Sequence, residues 1–383
     1  MNVVFTCGGT GGHINPAIAV ANIWKERHPD SNVLFVGAED NMEEELVPKA
    51  GYQLKTMKLC SISRGKNFAA IKRNVKAVTQ TAVAIGKCKK LLKEFKADVV
   101  VGTGGYASFP ALMAASLLGI PTCVHESNAM PGLTTRMIAD RVDRVLVCFP
   151  ESAKHYKHPE KVEVIGMPVR REFIFTDKAQ ARKDLGLDER PVILSSFGSQ
   201  GAKSMNEAVG KMFRLEQEDG FPYQHIHAVG SYGWDWMPEY VRSQGVDPEG
   251  NQGISIREYI YNMPTVMAAA DVVISRAGAS SCNEIAASGT PCVLIPSPNV
   301  TDNHQEKNAR ALEKQGGAIV IREGECTAEM LMQNITELLS DREKYQQMSK
   351  ALQSMVVVDC TERLCDLMQT LGKGKENGNK GAQ

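Results

Sequence analysis

Short apolar runs alternate with stretches of helical composition along the first half of the chain. Pro16–Arg27 and Pro110–Leu118 are two such stretches, and each has a proline in its first turn, where the missing N–H removes no helix hydrogen bond. Apolar strands separated by helices are typical of a parallel sheet with both faces covered. The runs that we predict as strands are Val3–Thr6, Val33–Val36, Val99–Val101, Thr122–His125, Arg144–Val147 and Val162–Ile165.

The same pattern starts again after residues 166–168, beyond a charged stretch, Arg171–Arg190, that suits a linker. Because 383 residues exceed the usual size of one domain, we predict two α/β domains, residues 1–167 and 168–351. A helix at about 352–371 is a candidate to pack back on the first domain, and residues 372–383 are predicted to be a disordered tail. The strands predicted for the second domain are Val192–Ser196, His225–Val229, Ile254–Ile256, Val272–Ser275, Cys292–Ile295 and Ala318–Ile321.

One helical stretch carries an apolar stripe at alternating three- and four-residue spacing, flanked by Lys72, Arg73 and Lys76. Two interpretations are open. The stripe could face the core and leave a solvated basic side, or its exposed part could lie against an anionic membrane surface. The apolar positions are Phe68, Ile71, Val75, Val78, Ala82 and Ile85.

Charge and cysteine usage narrow the class of protein. Basic and acidic residues number 44 each, so the net charge gives no argument for a nucleic-acid partner, although residues 55–96 hold twelve basic residues and one acid. The ten cysteines are scattered without a CxxC pair, as expected for reduced core residues of a cytosolic protein. No signal peptide is predicted, and the longest apolar run, Ala111–Ile120, is too short to span a bilayer, so any membrane contact is expected to be peripheral.

Three glycine-rich loops follow predicted strands, at residues 7–13 (CGGTGGH), 102–108 (GTGGYAS) and 198–202 (GSQGA). Glycines let backbone N–H groups approach a bound anion closely. His13 adds a titratable base at the exit of the first loop, where it could act in catalysis or merely cap the helix that follows. These loops therefore indicate a site for a phosphorylated ligand.

Two common nucleotide motifs fit this chain poorly. Residues 102–107 match a loose dinucleotide fingerprint, and Glu39 and Asp40 lie near the position of a ribose-binding acid, so a nicotinamide oxidoreductase is a minor alternative. Residues 198–204 resemble a P-loop, but the spacing is short and Ala202 stands where a glycine is required. The sequence has neither a DxD motif nor a cluster with metal-ligand spacing, so we expect amides, helix N-termini and basic side chains to meet a diphosphate.

The second domain adds a possible nucleotide-sugar site. Residues 275–284 (SRAGASSCNE) run from a strand into a helix, and small residues there leave room for a ligand. Glu284 can accept hydrogen bonds from vicinal hydroxyls such as those of ribose. Residues 302–305 (DNHQ) follow the next strand, and their amide side chains could bind sugar hydroxyls.

Seven motifs in this order resemble those of the MurG family of bacterial glycosyltransferases: residues 8–13, 102–106, 125–128 (HESN), 166–170 (GMPVR), 198–202, 275–284 and 302–305. The resemblance implies a GT-B fold, in which two Rossmann-like parallel-sheet domains face a cleft. It implies inverting, metal-independent transfer of N-acetylglucosamine from UDP-N-acetylglucosamine to the C4 hydroxyl of the N-acetylmuramyl unit of lipid I, which makes lipid II for peptidoglycan. No cofactor and no nucleic acid would be needed. The enzyme would lie peripherally on the anionic cytoplasmic face of the plasma membrane, where its undecaprenyl-diphosphate-linked acceptor is held.

The resemblance also implies roles for single residues. His13 would be the general base, Arg170 would meet the donor phosphates, and Glu284 would bind the ribose. Acceptor-side positions would be Gly104, Gly105 and Tyr106, and no metal ligand is implied. The other donor or substrate positions would be Thr10, Gly11, Gly12, Asn128, Ser199, Ile260, Ala279, Ser280, Ser281, Cys282, Asn283 and Gln305.

Simpler roles and other functions stay open. Arg170 could form only ion pairs, and Glu284 and Gln305 could be ordinary surface residues. Structural roles are expected for His125, Glu126, His225 and His227. The alternative functions are another UDP-sugar glycosyltransferase with a lipid-linked acceptor, a GT-B-like sugar epimerase, and a nucleotide-sugar-binding protein without catalysis.

Overall fold

The computed structural model describes residues 1–63, 67–250, 253–300 and 303–380, with side chains up to Lys373. The chain forms two compact units. Unit 1 is Met1–Val169 together with the chain from Val357 onward, and unit 2 is Arg170–Val356. Each unit is built on one parallel sheet.

Unit 1 contains a seven-stranded parallel sheet in the order β3-β2-β1-β4-β5-β6-β7. Valine-rich central strands pair in register, for example Val3 with Val33 on one side and with Val99 on the other. Two apolar clusters cover the faces of this sheet, as expected for strands buried on both sides. The strands are β1 (Asn2–Thr6), β2 (Asn32–Ala38), β3 (Gln53–Met57), β4 (Val99–Gly102), β5 (Thr122–Glu126), β6 (Arg144–Val147) and β7 (Val162–Val164).

The helices of unit 1 pack on both faces of its sheet. Strand β3 lies at the edge of this sheet and was not predicted, because its positions are only exposed or partly buried up to Thr56 and it includes a lysine. The helices are α1 (Gly11–Arg27), α2 (Glu43–Lys49), α3 (Phe68–Phe95), α4 (Ser108–Leu117), α5 (Leu133–Ile138) and, from the end of the chain, α15 (Cys360–Lys380).

Helix α3 turns its apolar stripe to solvent. Its buried face carries small residues such as Ala70, Ala77 and Ala84, whereas Phe68 is 83% exposed. The expectation that the stripe faces the core is therefore wrong for the first half of the helix. Ile71, Val75 and Val78 are also exposed, and Ile85 packs against the core cluster.

Unit 2 contains a six-stranded parallel sheet in the order β10-β9-β8-β11-β12-β13. Its strands are β8 (Val192–Ser196), β9 (Gln224–Ala228), β10 (Ile254–Arg257), β11 (Val272–Ser275), β12 (Cys292–Leu294) and β13 (Ile319–Val320). Its helices are α6 (Glu172–Phe175), α7 (Lys178–Asp184), α8 (Lys203–Glu218), α9 (Met237–Ser243), α10 (Met263–Ala269), α11 (Ala279–Ser288), α12 (His304–Lys314), α13 (Ala328–Ser340) and α14 (Arg342–Ser354).

Two segments differ from their expected structure. The charged stretch 171–190 is not a linker, because it contains α6 and α7, and Lys178 and Arg182 form ion pairs with Asp271. The C-terminal helix starts at Cys360 rather than near residue 352, packs against α1 and continues through Lys380, so it covers most of the tail predicted at residues 372–383. Residues 381–383 of that tail lie outside the described residues. Its buried residues Leu364 and Met368 join the core of unit 1 and anchor the helix.

Candidate active site

The first glycine loop joins β1 to α1 at the carboxyl edge of the unit 1 sheet. Gly9 has a φ of +87°, in the left-handed region that glycine tolerates. Helix α1 begins at Gly11 after the N-cap residue Thr10, so the positive end of its dipole lies at Thr10–Gly12. The predicted order of strand, glycine loop and helix is therefore confirmed.

His13 is held by the second glycine loop. Its Nδ1 lies 3.0 Å from the carbonyl oxygen of Thr103, and the Thr103 hydroxyl donates to the His13 carbonyl. Because a carbonyl only accepts, Nδ1 carries the hydrogen in this contact. The neutral ring is then the Nδ1–H tautomer, with its lone pair on Nε2. A general base needs such a lone pair to accept a proton.

The second loop lies so close to the first that only glycine fits at two positions. A Cβ atom on Gly104 would fall 2.7 Å from Nδ1 of His13, and one on Gly105 would fall 2.1 Å from the carbonyl oxygen of Gly8. Tyr106 follows, half-buried, and burial raises the pKa of its phenol. The structure thus brings the predicted acceptor-side residues against the loop that carries His13.

Asn128 is oriented by a buried carboxylate at the end of β5. Glu126 is 3% exposed, and its Oε1 accepts from the backbone N–H and the side-chain amide of Asn128, each at 3.0 Å. Its Oε2 accepts from the backbone N–H of Gly132 at 2.9 Å. The side-chain amide of Asn128 therefore has its nitrogen turned toward Glu126. Nε2 of the neighbouring His125 lies 2.9 Å from the Gly166 carbonyl, and burial lowers the pKa of this histidine.

The loops of unit 1 gather at one sheet edge because β1, β4 and β5 are neighbours in the sheet. In parallel sheets, ligands usually bind beyond the carboxyl ends of the strands where the strand order changes direction. The loops after these three strands carry His13, Tyr106 and Asn128 respectively.

Unit 2 repeats this arrangement at the carboxyl ends of β8, β11 and β12. Ser199 is exposed in the loop after β8, and its carbonyl accepts from the Ser231 N–H at 3.1 Å. Gly201 has a φ of +79°, and a Cβ there would fall 2.0 Å from the Val229 carbonyl oxygen. Ile260, after β10, is buried between the more exposed Tyr259 and Tyr261.

Helix α11 presents its first turns to the same edge. Burial raises the pKa of Glu284 to about 7, and nearby Arg170 partly opposes this shift. Cys282 is buried, so only its backbone could meet a ligand, and the side-chain amide of Asn283 donates to the Ala279 carbonyl within the helix. The half-buried residues Ser280 and Ser281 complete these turns.

Gln305 lies in the first turn of α12. Its Oε1 accepts from the Ser297 N–H at 2.9 Å, which fixes the loop before the helix and presents the amide nitrogen as the group that could donate to a sugar. Asp302 of the same motif lies outside the described residues. Among the side chains that the structure describes, no group of three or more His, Cys, Asp and Glu residues could hold a metal ion.

A cavity of about 640 Å³ opens between the start of α8 and the loop after β12 in unit 2. Arg276, at the end of β11, is 8% exposed and lies 2.9 Å from Glu323 and 3.1 Å from the Ile295 carbonyl. Lys203 and Glu207 line the same cavity. The sequence does not predict this ion pair, because Glu323 lies far from Arg276 along the chain, in a charged stretch with no distinctive motif.

Two Rossmann-like parallel-sheet units, with glycine loops at the carboxyl ends of their strands, are the fold of the GT-B class, and the family match identifies the chain as a glycosyltransferase of that class. Residues 3–147 match the glycosyltransferase family 28 N-terminal domain, and residues 192–364 match the family 28 C-terminal domain. The fold class predicted from the sequence is therefore confirmed.

Full-length relatives narrow this class. The UDP-N-acetylglucosamine--N-acetylmuramyl-(pentapeptide) pyrophosphoryl-undecaprenol N-acetylglucosamine transferase of Acetivibrio thermocellus is 38% identical over 99% of this chain and 100% of that protein. The Bacillus licheniformis protein of the same name is 38% identical, with 97% and 99% covered. Acinetobacter baumannii MurG superposes with a TM-score of 0.73 and 27% identity over 96% of this chain and 99% of that one. The chain belongs to the MurG family, as its motifs predicted.

The fold alone is shared more widely. The UDP-GlcNAc 2-epimerase of Neisseria meningitidis superposes with a TM-score of 0.67 at 15% identity, over 97% of this chain and all of that one. At this identity the likeness shows the fold and nothing about the reaction. The choice between transferase and epimerase rests instead on the full-length relatives and on the residues of unit 1.

Proposed function

We propose that this protein transfers N-acetylglucosamine from UDP-N-acetylglucosamine to the C4 hydroxyl of the N-acetylmuramyl unit of lipid I, and so makes lipid II. Family membership over the whole chain supports the substrates. The contact between Nδ1 of His13 and the Thr103 carbonyl supports the role of His13 as the base, because it places the ring hydrogen on Nδ1 and the lone pair of the neutral ring on Nε2.

In the proposed step, the C4 oxygen of the acceptor attacks C1 of the donor sugar on the face opposite the diphosphate. The new C1–O bond forms as the bond from C1 to the β-phosphate oxygen breaks, which inverts the α-linked donor to a β-linkage. The hydroxyl proton passes to Nε2 of His13, and UDP leaves with the electron pair. No metal takes part in this step.

Unit 1 would hold the acceptor. Gly104, Gly105 and Tyr106 pack against the His13 loop. Asn128, which Glu126 holds in one orientation, would instead hydrogen-bond the N-acetylglucosamine of the donor. The start of α1, at Thr10, Gly11 and Gly12, would face phosphate because a helix N-terminus favours anions.

Unit 2 would hold the donor. The first turn of α11, with Ser199 and Arg170, would stabilise the charge that grows on UDP as it leaves. Glu284 would accept hydrogen bonds from the ribose hydroxyls, backbone groups of Ile260 would meet the uracil, and Gln305 would donate to the sugar. Residues 279–283 would surround the diphosphate.

The exposed stripe of α3 would be the contact with the membrane. Large apolar side chains on a solvent-facing helix surface, beside exposed basic residues, suit peripheral binding to anionic lipid. No helix in the described part of the chain is long and apolar enough to cross a bilayer. We place the protein on the cytoplasmic face, where reduced cysteines are stable; all ten are unpaired.

The function is tested by incubating the protein with UDP-N-acetylglucosamine and a lipid I analogue, with and without EDTA, and measuring UDP and the disaccharide product. The proposal predicts β-linked product at equal rates in both reactions. No UDP release would reject the transferase function, and loss of turnover with EDTA would reject the metal-free step. Conversion of UDP-N-acetylglucosamine to an epimer without acceptor would favour the epimerase alternative.

The membrane contact is tested by vesicle flotation with anionic lipid. Neutralising Lys72, Arg73 and Lys76 together should weaken binding. The matched control neutralises three exposed lysines farther along the same helix, Lys87, Lys90 and Lys93. Equal loss in both triple variants would show a general charge effect, and no loss in either would place the contact elsewhere.

A further inference from the structure

A buried carboxylate ties the first glycine loop to the end of β2. Glu43, the first residue of α2, has no solvent-exposed surface. Its Oε1 accepts from the Ala38 N–H at 2.9 Å, and its Oε2 accepts from the Gly9 N–H at 3.1 Å. One side chain therefore bridges two segments of the chain near His13.

The surrounding glycines are shaped to this carboxylate. A Cβ atom on Gly8 would fall 2.1 Å from Oε1 of Glu43, and one on Gly37 would fall 2.7 Å from its Cγ. The Gly9 N–H is used by Glu43, so this amide fixes the loop and is not one that a phosphate would meet. Gly8 and Gly9 are therefore needed for the shape of the loop around Glu43, whether or not a ligand is bound.

The connection between β2 and α2 also holds Tyr106, through Asn41. The side-chain amide of Asn41 donates to the Tyr106 hydroxyl at 3.1 Å and to the Glu39 carbonyl at 2.7 Å. The Tyr106 ring lies against Gly9, where a Cβ would be 3.3 Å from Cε1. Glu43 therefore holds the Gly9 backbone and Asn41 holds the Tyr106 side chain, and Gly9 and Tyr106 are in contact with each other.

We propose that Asn41 and Glu43 are positioning residues for the acceptor. They hold the Gly8–Gly9 backbone and the Tyr106 ring, and through them the place where the acceptor hydroxyl meets His13. This inference rests on the proposed function. A shift of about 1 Å in a substrate-positioning element can lower the rate roughly 10²-fold, so the two side chains should affect turnover without touching substrate.

The first test substitutes Glu43→Gln, which keeps the shape but turns an NH₂ group toward one of the two N–H donors. The kcat/KM for the lipid I analogue should fall about 10- to 100-fold, while the KM for UDP-N-acetylglucosamine stays within about twofold, as expected if unit 2 supplies most donor contacts. The control is Glu44→Gln, since Glu44 is the next residue of α2 and is exposed. Equal kinetics in the two variants would overturn the role of Glu43.

A double-mutant cycle tests Asn41. If Asn41→Ala acts through the Tyr106 hydroxyl, then Asn41→Ala combined with Tyr106→Phe should lose no more activity than the larger single change. Additive losses would show that Asn41 acts elsewhere, and would overturn its role.

Amide hydrogen exchange separates a failure of this inference from a failure of the proposed function. At least one of the two peptides that contain Gly9 and Ala38 should exchange about tenfold faster in Glu43→Gln than in Glu44→Gln, because a glutamine amide has one acceptor oxygen for these two N–H groups. Unchanged exchange would overturn the inference even if the wild type is active. Faster exchange in a protein that releases no UDP would uphold the loop contact and reject the proposed reaction.

Discussion

Replacing Glu284 with glutamine should stabilise the protein at alkaline pH and not at acid pH. The side chain lies in the second turn of α11, where burial raises the pKa of its carboxyl from 4.5 to about 7 despite nearby Arg170. The folded protein therefore holds this proton more tightly than the unfolded chain does. As pH rises from about 4.5 to 7, the folded state loses stability because the charged form is disfavoured there.

The size of the effect follows from the shift. One pKa unit corresponds to about 1.4 kcal/mol, so the wild-type carboxyl costs up to about 3 kcal/mol above pH 7. Glutamine keeps the shape and cannot ionise, and should recover most of this cost. For a unit of this size, that gain corresponds to a rise in the melting temperature of roughly 5–10 °C at pH 8, and to almost none at pH 4.5.

The assay is thermal unfolding of both proteins at pH 4.5, 6, 7 and 8, without nucleotide. The control is Glu218→Gln, because Glu218 forms an exposed pair with Arg214 on α8 and such pairs contribute little. A gain that grows with pH in Glu284→Gln alone supports the reasoning. A variant that melts at the wild-type temperature at pH 8 would refute it, since the carboxylate would then be as well solvated as in the unfolded chain.

Three further predictions concern activity. His13→Ala should lower kcat by about 10²- to 10⁴-fold with the KM for UDP-N-acetylglucosamine retained; a loss under about tenfold in steady-state turnover would remove it as the base. Glu284→Ala should raise the KM for UDP-N-acetylglucosamine, and an unchanged value would contradict its contact with ribose. Gly105→Ala should cost more stability than Gly119→Ala and should also reduce acceptor kcat/KM. Both glycines have positive φ, but a Cβ at 119 meets open space whereas one at 105 meets the Gly8 carbonyl; equal melting temperatures would show that the loops can separate without cost.

The sequence could predict the strands whose burial on both faces leaves an uninterrupted apolar run. Val99–Val101 and Val272–Ser275 are examples, and the structure places both in the centres of their sheets. It could not predict β3, because this edge strand is only partly buried and one of its partly buried positions, Thr56, is polar, so the sequence lacks the apolar alternation of a strand. Nor could periodicity decide which side of α3 faces the core. Its alanines bury a narrow face against α4, and the larger apolar residues stay outside.

In the candidate site, too, some residues could be predicted from the sequence and others could not. Motifs predicted the groups that would meet a ligand, such as His13, because their residue types suit the chemistry. The residues that hold those groups have no such signal. Glu43 stands in a run of three acids at a helix start, where acids are common on electrostatic grounds alone. Only the fold shows that its carboxylate is buried and accepts the Gly9 N–H, whereas its neighbour Glu44 is exposed.

The hydrogen bond between Glu43 and the Gly9 N–H changes the interpretation of the first glycine loop. From sequence, four glycines suggest a phosphate site in which each backbone N–H is available. In the structure, the Gly9 N–H donates a hydrogen bond to Glu43, Gly8 leaves room for that carboxylate, and Gly105 leaves room for the Gly8 carbonyl. Under the proposed function, the Gly8–Gly9 part of the loop would orient a sugar hydroxyl near His13, and the helix N-termini of α1 and α11 would meet the diphosphate charge.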